Sequence, residues 1–400
     1  MDKVRPVEAT LIVGTLAVAA SPILTLVFGG SFPFHLSLLD AAFLLVALAG
    51  LLTRPRESLA LISKNVAYFS LSGSFLGAIL LSAVVSDFHA TVLKEALQML
   101  LYLWLIPFIL VFEPDIPKIY SRAGKVLVAL GIVILPLYFI LYGWVRFDPF
   151  GIHANPTGYL YGLFAIVLSM EGQTVWSVLA IVIAAFTFSR SALGALFATF
   201  SQAAVRLANF RRFLGLAVLS AALLFVGPPA LKGFLAVRDK VMEMVMVEES
   251  EEGRYKPPID IVRGKGYEAV RFLMWEAAVH LWREDPLLGT GLGTYRQSLK
   301  SSCSEGNLPP RLCTRWVENV DPHNVFLHVL SETGLVGLIT FLAFMGFLVV
   351  RVWGNPLAFS VLLFALLFGL LQPFPLFTRN LAPLTWLLIM WGGGIVWKRE

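Results

Sequence analysis

The stretch DPHNVFLHVLSETGLVGLITFLAF, residues 321–344, begins as a loop and ends as the middle of a membrane span. Pro322 ends what precedes it, Asn324 is placed to cap a helix, and from Val325 onward the chain is almost wholly apolar. Yet His323, Asn324, His328 and Glu332 occupy its first turns, where an unpartnered polar group in lipid is costly. His328 and Glu332 stand four apart on one helix face, so each can serve as the other's partner. Gly334 and Gly337 leave small positions at which another helix can approach. His323 carries a side chain with a near-neutral pKa, suited either to a cap or interfacial role or to proton transfer.

The rest of the chain sets this stretch in a membrane. Of the 400 residues, 58% are apolar and only 14% charged, with a mean hydropathy of +0.77. A soluble domain has no such balance. Crossing roughly 30 Å of hydrocarbon takes about 20 apolar residues, and about twelve runs approach that length. They lie near 9–28, 36–52, 66–86, 92–112, 123–145, 157–170, 174–189, 191–205, 212–227, 325–350, 356–371 and 380–397. None alternates as a barrel strand does, so the spans are helical. The expected fold is an all-α polytopic membrane protein with about twelve transmembrane helices and one large periplasmic helical loop. Its organisation is then 1–227 with helices 1–9, a loop domain over 228–324, and 325–400 with helices 10–12.

The first run lacks a small-residue cleavage site after it and reads as a retained span. Lys and Arg in short connections set the orientation. With a cytoplasmic N-terminus, Lys3, Arg5, Arg54, Arg56, Lys64, Lys118, Arg122, Lys125, Arg206, Arg211, Arg212, Arg351, Lys398 and Arg399 fall on the inner side. Only Lys94, Arg146, Arg190 and Arg379 fall opposite. Both termini are then cytoplasmic, and the net charge of +5 follows from topology without a nucleic-acid partner.

The outer segment holds both cysteines, Cys303 and Cys313. Two thiols confined to one external loop point to a disulfide in an oxidising compartment. A metal site would lack ligands. Acidic side chains cluster at Glu248, Glu249, Glu251 and Glu252, and a local basic block follows with Arg254, Lys256, Arg263, Lys265 and Arg271. Residues 266–286 have helical spacing, with Tyr267, Val270, Met274, Ala277 and Leu281 on one stripe and Trp275 and Trp282 on another. Two readings fit: a helix lying in the membrane interface, or ordinary packing of an outer helix. The glycines of PLLGTGLGTY, 286–295, follow no strand and read as a turn that returns the chain to the bundle.

Arg190, in FTFSRSALGA, stands between two apolar runs. An Arg at that depth either snorkels to the surface at a break between spans or clamps a phosphate with its planar fork. Residues 146–160, RFDPFGIHANPTGYL, read as an irregular outer connection in which His153 and Asn155 either meet a polar ligand or, the favoured reading, serve a turn.

These motifs resemble those of the O-antigen ligase and O-antigen polymerase superfamily, membrane glycosyltransferases of the GT-C type. His323, Asn324, Gly334 and Gly337 match the family's histidine motif; RFLMWEAAVHLWREDPLLGTGLGTY, 271–295, resembles a second stretch; FSRSALGA matches its arginine-containing break. HANPTGYL resembles its Asn-Pro turn, with Thr157 where the usual motif has a second Asn. The resemblance implies a glycan donor on undecaprenyl diphosphate, and lipid A core oligosaccharide as acceptor for a ligase or a second lipid-linked glycan for a polymerase. It implies inversion at the anomeric carbon with no cofactor and no metal, at the periplasmic face of the bacterial inner membrane. Arg190 and Arg271 are then expected to hold the diphosphate together with Asn324 as a substrate-binding residue, and His323 to act as catalytic base toward the acceptor hydroxyl. The modest length and single outer domain favour the ligase. A transporter of lipid-linked anions could also use outer arginines, but the inner half shows neither matching polar machinery nor an internal repeat.

Overall fold

The computed structural model describes residues 6–17, 38–142, 147, 154–207, 209–224, 266–313, 317, 321–372, 377 and 381–395. All regular structure among them is helical. In chain order the helices are α1 (Pro6–Leu16), α2 (Leu38–Thr53), α3 (Pro55–Lys64), α4 (Val66–Val85) and α5 (His89–Leu100). They continue with α6 (Ile116–Tyr142), α7 (Ala154–Met170), α8 (Thr174–Phe186), α9 (Arg190–Arg206), α10 (210–224), α11 (Gly266–Glu284) and α12 (Tyr295–Ser304). The last are α13 (Val325–Val352), α14 (Pro356–Gly369) and α15 (Ala382–Gly392).

Four helical stretches are long and apolar enough to cross a membrane: Val66–Val85, His89–Phe112, Ile116–Ile140 and Val325–Val352. Most of the other apolar runs form shorter helices, so among the described residues four helices, and not the expected twelve or so, have the length of a full span. The reasons are local. Phe188 takes a left-handed φ of 52° after Phe186, and Ser189 Oγ then accepts the Ala192 N–H at 3.3 Å, so one helix stops and the next is capped. The run from His89 changes character at Leu101–Leu105, a π turn, and tightens to 3-10 turns over Ile106–Phe112, where Pro107 has no N–H to give. The Tyr68 hydroxyl donates to the Leu103 carbonyl there at 2.8 Å. Together these features give an all-α architecture consistent with a polytopic membrane protein.

Helices α7 and α15 are buried on nearly every side, as expected of helices that are apolar all round. Tyr159 stacks on Phe364 at 4.8 Å, and its hydroxyl pairs with Thr385 Oγ1 at 3.0 Å. The Asn155–Pro156 pair, expected in an irregular connection, lies instead in the first turn of α7, where Pro costs no helical hydrogen bond. His153 lies outside the described residues.

The segment 266–317 has a small core of its own. Met274, Ala277, Ala278 and Leu281 of α11 pack with Tyr295, Leu299, Leu308, Leu312 and Val317. Part of the predicted α11 stripe therefore fills this core, as the packing alternative has it, while Phe272 is 64% exposed on another side. Cys303, in the last turn of α12, is disulfide-bonded to Cys313 with their Cα atoms 5.5 Å apart. The acidic cluster at 248–252 lies outside the described residues.

This segment meets the bundle at a break in α13. Gly334 has φ 63° and ψ −164°, which interrupts the helix. The freed N–H groups of Leu335 and Val336 donate to the carbonyls of Pro286 and Leu287 at 2.9 and 3.2 Å. In return, Thr290 and Gly291 donate to the carbonyls of Ser331 and Glu332 at 3.1 and 2.7 Å. The glycine-bearing turn does return to the bundle, and it does so by completing a broken helical ladder. A Cβ on Gly334 would collide with the Leu287 carbonyl, and one on Gly289 with the backbone of Glu332 to Gly334. Gly334 thus admits a loop where the sequence suggested a neighbouring helix. Gly337 faces the Thr333 side chain of its own helix.

Candidate active site at the head of the broken helix

The site is built where the chain enters α13. Asn324 caps the helix, its Oδ1 accepting the N–H groups of Phe326 and Leu327 at 3.0 and 3.1 Å. Its Nδ2 donates to the Leu370 carbonyl at 3.1 Å, just past the end of α14. His323, one residue earlier, is in the left-handed region with φ 52°, a conformation that a residue with a side chain holds only under constraint. Its Nδ1 lies 2.7 Å from Oε1 of Gln372, which is 1% exposed. On the other side of the turn, Asp321 receives a two-point bond from Arg296, Nε to Oδ1 at 2.8 Å and Nη2 to Oδ2 at 2.7 Å. Three separate elements therefore hold the residues flanking His323: α12 through Arg296, the end of α14 through Leu370 and Gln372, and α13 through the cap.

The electrostatics follow from this packing. Burial pushes the His323 imidazole below its ordinary value of 6.5; the Gln372 bond opposes this and the positive charge of Arg271 reinforces it. The ring is consequently neutral near pH 7. Burial alone would raise the Asp321 carboxyl, but the Arg296 bonds and the nearby positive groups outweigh it and hold the group below the usual carboxylate range. Deeper in α13, His328 Nε2 pairs with Glu332 Oε2 at 3.1 Å, with Glu332 fully buried. Phe377 lies against the His328 ring, 6.1 Å between centroids, so the chain beyond α14 covers this side.

Of the residues singled out in the sequence, His323 and Asn324 adjoin one another, and the charge of half-buried Arg271 on α11 bears on the imidazole. Arg190 opens α9 and is exposed. At the other end of α9, Arg206 lies 4.4 Å over the Trp353 ring and donates to its carbonyl at 2.7 Å, beside the start of α14. Helices α9 and α14 are thus antiparallel neighbours, and Arg190 shares the end of the bundle that carries Leu370 and Gln372. The disulfide sulfurs pack against the core of 266–317. Among the described residues no group of three or more His, Cys, Asp or Glu side chains is placed to hold a metal ion.

Sequence reading missed Arg296 and Gln372. Gln372 had a usable signal: it is the single amide in the apolar run LFALLFGLLQPFPLF, 363–377, where an unpaired amide would be expensive. Arg296 had none, since one arginine among the basic residues of the outer segment gives no hint of which carboxylate it meets.

The imidazole of His323 thus stands within the field of Arg271 and Arg296 at the head of a membrane-length helix. Residues 175–342 match the model of the family described as O-antigen ligase, a segment that runs from α8 into α13 and includes Arg190, Arg271, Arg296, His323 and Glu332. This match supports the assignment of the chain to the O-antigen ligase and polymerase family. No curated protein matches the chain.

Proposed function

We propose that the protein is an O-antigen ligase, transferring a glycan from undecaprenyl diphosphate to a sugar hydroxyl of lipid A core at the periplasmic face of the bacterial inner membrane. The family supports ligase or polymerase activity in general. The observation that supports the glycosyl-transfer reading is His323, a half-buried imidazole held against Gln372 Oε1 at 2.7 Å within the field of Arg271. In this mechanism the imidazole takes the proton of the acceptor hydroxyl as its oxygen attacks the anomeric carbon. The bond from that carbon to the diphosphate oxygen breaks with inversion, and the electron pair leaves with the diphosphate. Arg271 and Arg190 stabilise the departing charge through the fork geometry that suits phosphoryl oxygens. Asn324 holds the turn at the substrate's edge. Neither a cofactor nor a metal is needed for these steps.

The test is reconstitution of the purified protein in lipid with a lipid-linked glycan and, in separate reactions, lipid A core or a second lipid-linked glycan as acceptor. Extension of lipid A core identifies a ligase, and extension of the lipid-linked glycan identifies a polymerase. Movement of the donor across the bilayer without a new glycosidic bond would instead identify a transporter.

A further inference from the structure

The neutral imidazole can carry its proton on either nitrogen, and a base presents whichever nitrogen is bare. His323 Nδ1 faces an amide oxygen, Gln372 Oε1, at 2.7 Å. With the amide in this orientation its oxygen can only accept, which assigns the proton to Nδ1. We infer that Gln372 is a positioning residue that fixes the His323 imidazole as its Nδ1–H tautomer and leaves Nε2 bare to take the acceptor proton. The inference rests on the glycosyl-transfer reading above. Gln372 lies outside the 175–342 match, and nothing in the resemblance assigns it a role.

Three observations support this beyond the single contact. Gln372 is buried, and its Nε2 has no hydrogen-bond partner among the described residues, which leaves the imidazole as the amide's partner there. The adjoining residues of both segments are also bound, Asn324 Nδ2 to the Leu370 carbonyl at 3.1 Å, so two bonds register the 323–324 turn against 370–372. His323 holds a left-handed φ of 52°, which turns its ring away from the path of the helix and toward that segment. A third group that orients a base is a recurring arrangement, and it is often a carboxylate. An amide oxygen orients the ring as such a carboxylate does, without its negative charge. When Nε2 accepts the proton, the resulting imidazolium carries both N–H groups, with Nδ1–H still bonded to Gln372.

The test combines spectroscopy and kinetics on the full chain in lipid nanodiscs. In protein labelled with ¹⁵N-histidine, with His323→Ala used to assign the signal, nitrogen shifts should report the proton on Nδ1. Gln372→Met keeps bulk and removes the acceptor; kcat should fall about tenfold or more with little change in KM. Gln372→Glu restores the acceptor and should recover transfer while moving the acid limb of the pH profile upward, which a merely structural role would not do. A proton on Nε2 in the parent protein overturns the inference whether or not the variants fold. So does a parent kcat in Gln372→Met, or a loss that Gln372→Glu does not repair. A parent rate in His323→Ala overturns the base assignment beneath it, a result separate from the tautomer measurement.

Discussion

His328 Nε2 lies 3.1 Å from Glu332 Oε2, one turn along α13, and that carboxylate is at the same time the cap of another helix. Its Oε2 accepts the Gly293 N–H at 2.8 Å, and its Oε1 accepts the Tyr295 N–H at 2.9 Å, from 37 residues away in sequence. Thr294 stands at the N-cap of α12 without capping it through its side chain, so Glu332 supplies the missing acceptor. A buried acid with two backbone donors and an imidazole is a structural joint. Glu332→Ala should therefore lower stability by about 2–5 kcal/mol in thermal unfolding, because it strands those donors and His328. His328→Ala should lose less and should transfer glycan at nearly the parent rate per folded molecule. Equal stability of Glu332→Ala and the parent would count against the joint.

Gly334 makes a sharper case, since strain and collision act together. Its φ of 63° disfavours any side chain, and a Cβ would meet the Leu287 carbonyl that accepts the Val336 N–H. Gly334→Ala should cost at least the roughly 1–3 kcal/mol of a strained backbone position and should loosen the 286–291 loop. Hydrogen exchange of the Leu335 and Val336 amides measures this directly. Unchanged protection in the variant would mean that the loop does not depend on the glycine.

What could be read in advance was what is local. The Asn324 cap and the His328–Glu332 pair are relations within one or two turns, and helical spacing alone brings such residues together. The return of the 286–295 turn was legible from its glycines, but its destination was not: docking into a break at Gly334 joins residues more than 40 apart, and no periodicity encodes it. The same holds for Gln372 at His323 and for Arg296 at Asp321, pairings 49 and 25 residues apart. Counting spans was limited differently. Hydropathy placed the break beside Arg190, where Phe188 turns left-handed, but not the switch to a π turn at Leu101–Leu105 inside one apolar run.

The disulfide closes a short loop at the edge of the 266–317 core, tying the end of α12 to the turn that carries Leu308 and Leu312. Reduction should destabilise this segment by roughly 2–4 kcal/mol, through the wider unfolded ensemble of the open loop. Mass spectrometry of unreduced protein should recover Cys303 and Cys313 in one linked peptide pair. Cys303→Ser with Cys313→Ser should lower the unfolding temperature without abolishing transfer, because the bond braces the 266–317 core.

The arginines should act on the donor. Arg271→Ala and Arg190→Ala should each reduce kcat by about 10²–10³, the usual cost of losing one group that stabilises a developing anion. Lysine at either position should recover part of this, since it restores charge without the planar fork. Full activity in Arg271→Ala would shift the role to Arg263 or Lys265 of the same basic block. Transfer measured after EDTA treatment should equal that of untreated protein, and a strict need for a divalent ion would sink the metal-free mechanism.

The pH profile of transfer tests His323 most directly. Burial and the charge of Arg271 hold its folded pKa below the ordinary 6.5, and a base works only when neutral. Activity should therefore be flat near pH 7 and fall about tenfold per unit only once the pH drops below that lowered pKa. The sign for stability is the same. As pH falls from 6.5 toward the folded value, the unfolded chain binds the proton before the folded one does, so folding weakens across that window. His323→Ala should fold, should lose this part of the pH dependence of stability, and should lower transfer by about 10²–10⁴, the contribution typical of a general base. Parent-rate transfer by His323→Ala, with the acid limb intact, would leave His323 as a turn residue and place the base elsewhere.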